Sequence, residues 1–404
     1  MHDLKVFAKT VENEVFDQLN RLMSVDVFKD SKIRIMPDTH AGKGCVIGFT
    51  ADLGDKVVPN LVGTDVGCGV YVVNIGKLDL SDEQLTELDK FIHEHIPSGF
   101  DVNDEDHCVG FDKLQDLKMF SSLKNVERLY KSIGSLGGGN HFIELNKSES
   151  DDIYLVIHTG SRNLGNQVCR YYQKLAADNC LNKSNEIKGK IAYLFTKMKL
   201  EGQYKEVQYY IEKLKAEYKC IDSIPYDLCY LDGSYRDDYL HDMKICQEYA
   251  VKNREDIAKR ILGFLKITPI ESFHTVHNYI DFEDNIIRKG AIRCVKGEKV
   301  IIPLNMKDGS IICIGKGNED WNFSAPHGAG RLMSRSEAKE NISMKDFKES
   351  MKNVFSTSVN KSTIDESPFA YKPMDEIIQN IQDTVEIVDI IKPIYNFKAA
   401  DIED

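Results

Sequence analysis

An α+β fold, built as one large unit with a sheet-built core and an embedded helical region, is what this sequence predicts. Three observations carry that expectation. Short strand-like runs end at glycine-rich turns in both the early and the late parts of the chain. Between them, residues 165–265 are rich in Lys, Glu, Gln and Tyr, and their apolar residues recur at helical spacing. Side chains suited to metal or phosphate chemistry lie on both sides of this stretch. The helical region is therefore expected as an excursion within a single domain, 1–404, rather than as a domain of its own.

Element by element, Thr10 is a candidate cap for a short helix whose apolar face is Val11, Val15, Leu19 and Leu22. Strands are expected at Lys32–Met36, Lys56–Val58 and Gly69–Ile75, each joined to a glycine turn. Ser81 is placed to cap a helix running to Ile96. A further strand, Ile153–Ile157, leads into His158-Thr159-Gly160-Ser161-Arg162. The helical region reads as two or three helices with a polar loop near Lys183–Ile187, and Tyr239, Met243, Cys246 and Ala250 share one helical face. Strands return at Val300–Ile302 and Ser310–Ile314. A helix near Met374–Ile387 and a tail, Tyr395-Asn396-Phe397-Lys398, close the chain.

Composition narrows the function. The chain has 404 residues, 42% of them hydrophobic, enough to bury a large core. Its 52 basic against 64 acidic residues give a net charge of −12, which argues against indiscriminate wrapping of nucleic acid but allows a local basic pocket for one strand end. No run approaches the length of a membrane helix and the first residues lack a signal-peptide pattern, so a cytoplasmic protein is expected. Ten cysteines without a CxxC pair resemble neither a disulfide framework nor a zinc ribbon.

Five segments place a metal-capable side chain at a strand end or glycine turn: Asp65-Val66-Gly67-Cys68, Gly139-Asn140-His141, Ile157-His158, Val276-His277-Asn278 and Pro326-His327. Thiolate, imidazole and carboxylate together suit borderline divalent ions such as manganese, zinc, iron or cobalt. Any one segment alone is more often an ordinary buried Cys or a satisfied His, but five with the same punctuation point to a site. Arg162, Arg288-Lys289 and Arg331 follow these histidines closely and suit phosphate oxygens. In Ser324-Ala325-Pro326-His327-Gly328-Ala329-Gly330-Arg331, an imidazole able to attack phosphorus stands four residues before an arginine able to fork onto it.

Five motifs, in order along nearly the whole chain, resemble the RtcB family of RNA ligases. They are Met36-Pro37-Asp38-Thr39-His40-Ala41-Gly42-Lys43-Gly44, Gly63-Thr64-Asp65-Val66-Gly67-Cys68-Gly69, Gly139-Asn140-His141-Phe142-Ile143-Glu144, His158-Thr159-Gly160-Ser161-Arg162 and His327-Gly328-Ala329-Gly330-Arg331. The resemblance, more than periodicity, supplies the specific architecture. It implies a manganese- and GTP-dependent enzyme that joins RNA 3′-phosphate or 2′,3′-cyclic phosphate ends to 5′-hydroxyl ends, in RNA repair or tRNA splicing. Asp65, Cys68, His141, His158 and His277 match the family's two-metal site, with Cys68 as the bridge, and His327 matches the histidine that takes GMP. Asn140, Arg162, Lys289 and Arg331 match phosphate-holding groups. Phe142, Glu144 and Ser310 match the guanine pocket, with Lys398 the counterpart of a C-terminal lysine. An archease-type activator is the candidate protein partner. Two departures are Pro303-Leu304-Asn305-Met306, where members often carry Pro-Gly-Ser-Met, and the extra tail Ala399–Asp404.

Three other readings use the same residues. A two-metal phosphoesterase acting on RNA ends would need no nucleophilic histidine and no guanine pocket. A purely structural zinc site and a non-catalytic RNA-binding protein are the others, the last disfavoured because every ligand is present.

Overall fold

The computed structural model describes residues 3–9, 11–105, 111–202, 204–217 and 224–399. Its helices are α1 (Asn13–Met23), α2 (Asp82–His95), α3 (Val126–Lys131), α4 (Arg162–Leu200), α5 (Tyr204–Glu217), α6 (Gly233–Leu265), α7 (Arg335–Asn341), α8 (Met344–Ser350) and α9 (Met374–Ile381). None of the described helices is long and apolar enough to cross a membrane. Val15, Leu19 and Leu22 of α1 are buried as one face, while the expected cap, Thr10, lies outside the described residues. Ser81 does cap α2: its hydroxyl accepts from the Gln84 amide, and Gln84 Oε1 in turn accepts from the Ser81 amide.

The strands are β1 (Asp3–Val6), β2 (Lys32–His40), β3 (Ile47–Asp52), β4 (Gly69–Lys77), β5 (Phe142–Lys147), β6 (Asp152–Thr159), β7 (Glu271–Val276), β8 (Asn278–Asp281), β9 (Ile286–Lys289), β10 (Ala291–Arg293), β11 (Lys299–Asn305), β12 (Gly309–Gly315), β13 (Ser324–Pro326) and β14 (Val385–Lys398). They form a seven-stranded sheet ordered β11-β12-β14-β5-β6-β4-β7, a five-stranded sheet ordered β1-β2-β3-β9-β8, and a β10-β13 pair. One apolar core fills the space between the five-stranded sheet, α1, α4 and α6, with Phe28, Phe49, Tyr172 and Tyr239 fully enclosed. A second lies under the larger sheet against α2 and α6.

The α+β expectation holds, and so do the strands beginning at Lys32, Gly69 and Val300, each longer than its periodicity implied. Four local expectations do not hold. Lys56–Val58 forms only a single bridge, Val57 to Leu231, because Pro59 follows at once and opens a 3₁₀ turn. The loop near Lys183–Ile187 is absent: α4 runs through it without a break, since Ser184 and Ile187 are buried and packing overrides the polar composition. The helix from Met374 stops at Ile381, where Val385 begins a β-branched run that pairs with β12 instead. The tail from Tyr395 to Lys398 is the end of β14 and pairs with β5 in the larger sheet, Tyr395 opposite Leu145 and Lys398 opposite Phe142.

Candidate functional site

Sheet register brings the site together. Phe142 of β5 stands opposite His158 of β6, which stands opposite Val70 of β4, and Val70 stands opposite Thr275 of β7. Cys68, His141, His158 and His277 therefore emerge at the same edge of four neighbouring strands, although as many as 209 positions separate them in sequence (277 minus 68). The Cys68 sulfur lies 3.5 Å from His141 Nε2 and 3.3 Å from His158 Nε2. His158 Nε2 is 3.4 Å from His277 Nε2, and His141 Nε2 is 3.3 Å from Asp65 Oδ2. Ligand atoms of Cys68, His158 and His277 lie within 4.8 Å of one another, and so do those of Asp65, Cys68 and His141. Two ligand sets thus share one thiol.

The ring orientations have a cause. His141 Nδ1 is 2.9 Å from Leu136 O and His158 Nδ1 is 3.2 Å from Asn140 O, so a carbonyl turns each Nε2 toward the cluster. Burial pushes the imidazoles of His158 and His277 well below the usual range, so they are neutral and able to ligate. Burial also drives the Cys68 thiol up, helped by the neighbouring Asp65 carboxylate. Burial raises Asp65 as well, but His141 and Cys68 outweigh it and hold the carboxyl at about 2. A thiol and a carboxylate held this close, with the neutral imidazoles of His158 and His277 beside them, form a donor set that a dication would stabilise. Gly160 is needed here, because a Cβ on it would come within 2.3 Å of Asp65 Oδ1.

Beneath the cluster, α6 braces the loops. Asn253 accepts the amides of Gly134 and Ser135 on Oδ1 and donates Nδ2 to Ser135 O and Gly160 O. Its neighbour Arg254, fully buried, donates to Gly67 O and Thr159 O. Neither residue carries a signal at the sequence level, since each looks like one more polar residue in a polar helix.

His327 follows β13, and its Nδ1 lies 2.7 Å from Oδ2 of the fully buried Asp38, which also accepts the His327 amide at 3.1 Å. With Nδ1 engaged, Nε2 is the free ring nitrogen; the His327 ring centroid is 4.9 Å from that of His277. Asp38 lies within a motif quoted above but receives no role from the sequence, because its partner is 289 residues away. Gly330, at φ 74°, runs so close to Asp38 that a Cβ would meet its carbonyl at 2.7 Å.

Beside His327 a cavity of about 250 Å³ is lined by Asn140, Phe142, Glu144, His158, His277, Arg331 and Lys398, together with the departing segment Pro303–Met306. Glu144 is buried; Asn396 donates to its Oε1 at 2.7 Å and Asn146 to its Oε2 at 3.0 Å, while burial raises its carboxyl. Ser310 is not part of the lining: its hydroxyl is buried behind Gly309 and has no partner among the described residues. Glu366, which the sequence does not single out, anchors the far wall by pairing with Lys398, Arg331 and Arg335 and accepting from Tyr371. Arg331 already donates from all three of its nitrogens, to Met333 O, Glu366, Tyr371 and Asp365 O.

Arg162 and Lys289 lie elsewhere. Arg162, at φ 56°, opens α4 in a second cleft with Asp65, Arg128 and Asn166. Lys289 donates to Lys43 O and Asn60 O in a third cleft that also reaches Thr64 and Asp65. Three concavities thus converge on the Asp65–Cys68 cluster.

Comparison with known proteins agrees with this assembly. The family model described as tRNA-splicing ligase RtcB matches residues 18–399. The chain is 30% identical to a protein named RNA-splicing ligase RtcB from Escherichia coli K12, over 88% of this chain and 87% of the relative. It is 25% identical to the tRNA-splicing ligase RtcB of Nanoarchaeum equitans, over 85% of this chain and 83% of that one. A match running from α1 to the end of β14 takes in all five quoted motifs and every element that carries the cluster, and the chain belongs to the RtcB family of RNA ligases.

Proposed function

We propose that this protein joins RNA ends carrying a 3′-phosphate or 2′,3′-cyclic phosphate to 5′-hydroxyl ends, using GTP and manganese, with residues 1–404 acting as one catalytic unit around the embedded helices of 165–265. The observation that carries this reading is His327: one ring nitrogen is held by buried Asp38, and the other is free beside a five-residue cluster and a cavity. A phosphoesterase or a structural zinc site would have no use for that arrangement.

Asp65, Cys68, His141, His158 and His277 would hold two ions, with Cys68 common to both sets. When bound, the ions neutralise phosphate oxygens and polarise the phosphorus centres. The chain's own groups carry the rest. Asp38 keeps the proton on Nδ1 of His327 and offsets the positive charge that develops on the ring. The Nε2 lone pair attacks the α-phosphorus of GTP; an N–P bond forms, the bond to pyrophosphate breaks, and pyrophosphate leaves. An oxygen of the RNA 3′-phosphate then takes the guanylyl group, the N–P bond breaks, and His327 returns neutral. Finally the 5′-hydroxyl oxygen attacks the RNA phosphorus, loses its proton to water, and GMP departs with the electron pair of the broken P–O bond. The detour through GMP is needed because a charged 3′-phosphate is a poor electrophile. Glu144, Phe142 and Lys398 would receive guanine, with Ser310 behind them. Asn140 and Arg331 would hold phosphates in the cavity. Arg162 and Lys289 would face the RNA strands in the two outer clefts.

The test is incubation with α-labelled GTP and manganese, then denaturing electrophoresis with acid and alkali challenge. An acid-labile, alkali-stable adduct is expected on the parent protein and none on His327→Ala. That variant should still seal RNA already guanylylated at its 3′ end, with and without an archease-type activator. A labelled adduct persisting on His327→Ala would place the nucleophile elsewhere. Phosphate release without any adduct would mean a phosphoesterase.

A further inference from the structure

The outer half of α4 and the whole of α5 form an antiparallel hairpin that contributes nothing to the site described above. Its seam is accounted for: Ile191, Leu194 and Met198 on α4, and Val207, Ile211 and Leu214 on α5, are buried or half-buried at helical spacing. The seam leaves a second set of large side chains facing outward. Tyr193 is 70% exposed, Leu200 84% and Tyr209 64%, and Phe195 is half exposed. Exposed lysines stand among them, with Lys197 one turn beyond Tyr193 and Lys213 one turn beyond Tyr209, whereas Phe195 and Lys199 project from the other side of α4.

The charge of this segment runs against that of the chain. Residues 181–217 hold eight lysines and five glutamates, with no Arg or Asp, a net of +3. The whole chain is −12, so everything outside the hairpin sums to −15. A lysine-rich, aromatic-bearing face on an acidic protein is complementary to a polyanion that also offers stacking surfaces. A protein partner fits less well, because protein–protein interfaces are depleted in lysine.

We propose that the α4–α5 hairpin is a docking surface for the folded body of the RNA substrate, gripping phosphates with Lys197 and Lys213 and sugar or base faces with Tyr193 and Tyr209. This rests on the ligase reading for the identity of the substrate. It adds which part of the RNA is held, and where. The geometry sets the length scale. Helix α4 starts at Arg162 in the cleft beside Asp65 and runs unbroken to Leu200, so the hairpin tip stands about 57 Å along the helix axis from the reacting ends. Only an RNA with an extended, structured arm reaches both places. A nucleotide or a short unpaired strand does not.

The test uses the full chain and two probes: a broken stem–loop RNA with a long paired arm, and a pair of short unpaired strands with the same ends. The combined variant Lys197→Ala, Lys213→Ala should bind the stem–loop about tenfold more weakly by fluorescence anisotropy, with the log–log salt slope reduced by about 2. KM for sealing the stem–loop should rise similarly while kcat, and all sealing of the short strands, stays at the parent level. The matching Lys→Arg variant keeps the charge and should bind like the parent. Circular dichroism checks that the helices persist. Unchanged stem–loop affinity overturns the proposal and leaves the aromatic face to a protein partner. Equal loss on both probes overturns it too, because the lysines would then act at the reacting ends. If the parent protein seals neither probe, the ligase reading has failed instead, and anisotropy still decides whether the hairpin holds RNA.

Discussion

Asp38 acts on His327 in two ways at once. It accepts from both the amide and Nδ1 of the histidine through one oxygen, while its other oxygen, buried, has no partner among the described residues. A carboxylate in that position sets the tautomer and stabilises the charged ring, so replacing it with an isosteric amide should damage chemistry more than binding. We expect Asp38→Asn to slow formation of the GMP adduct by about 10²–10⁴ with KM for GTP little changed, read by single-turnover labelling. A loss confined to KM would make Asp38 part of the nucleotide pocket instead. Glu144 permits a second expectation at this scale. Its two oxygens already accept one amide each, yet each keeps a lone pair for the N–H edge of guanine. GTP should therefore be preferred to ATP, by up to about 10⁴, with the preference relaxed in Glu144→Gln. Equal use of ATP by the parent protein would defeat this assignment.

Helix α6 shows how an element can govern a site without lining it. Its Asn253 and Arg254 hold the loops before β4 and β5 and after β6, which carry Cys68, His141 and His158 at their edges. Asn253→Ala would leave two buried amides and two carbonyls without their partner, a loss of about 3 kcal/mol in unfolding free energy, measurable by urea titration. An unchanged midpoint would mean that water takes over those bonds. The same helix marks the limit of what the sequence makes legible. Its buried face at Tyr239, Met243, Cys246 and Ala250 is plain from spacing, because burial imposes a period. Its bracing role is invisible, because Asn253 and Ser135 lie 118 residues apart and no local pattern joins them. Element boundaries failed for related reasons. Composition suggested a loop at Lys183 and a longer helix after Met374, whereas burial of Ser184 and Ile187 and the pairing of β14 with β12 decided otherwise. The clustered Cys, Asp and His residues were legible because their glycine-flanked segments leave local motifs. Asp38 and Glu366 were not, since their roles exist only through partners remote in sequence.

At the scale of the whole molecule, the last strand supplies one wall of the cavity. Strand β14 lies inside the seven-stranded sheet, between β12 and β5, and delivers Lys398 to Glu366, which also pairs with Arg331 and Arg335. Burial pushes the Glu366 carboxyl up, but Lys398 and Arg335, with hydrogen bonds from Lys398 and Tyr371, outweigh it and hold the group at about 2. In the unfolded chain a glutamate titrates near about 4.3. A carboxyl depressed on folding adds stability that is fully present above the unfolded value and is lost as pH falls through the folded one. Glu366→Gln removes the charge and leaves three cations with weakened partners, at a cost of about 3 kcal/mol near neutral pH. The difference in stability between parent and Glu366→Gln should therefore be flat from neutral pH to about 5 and shrink steadily toward pH about 2. Other acids that titrate there, Asp65 among them, act on both proteins alike and cancel in the difference. Chemical unfolding of both proteins across that range reads the effect. A difference that stays constant down to pH about 2 would show that Glu366 is held by shape rather than by its charge, and that the seating of β14 beside the cavity does not depend on the ion pair with Lys398.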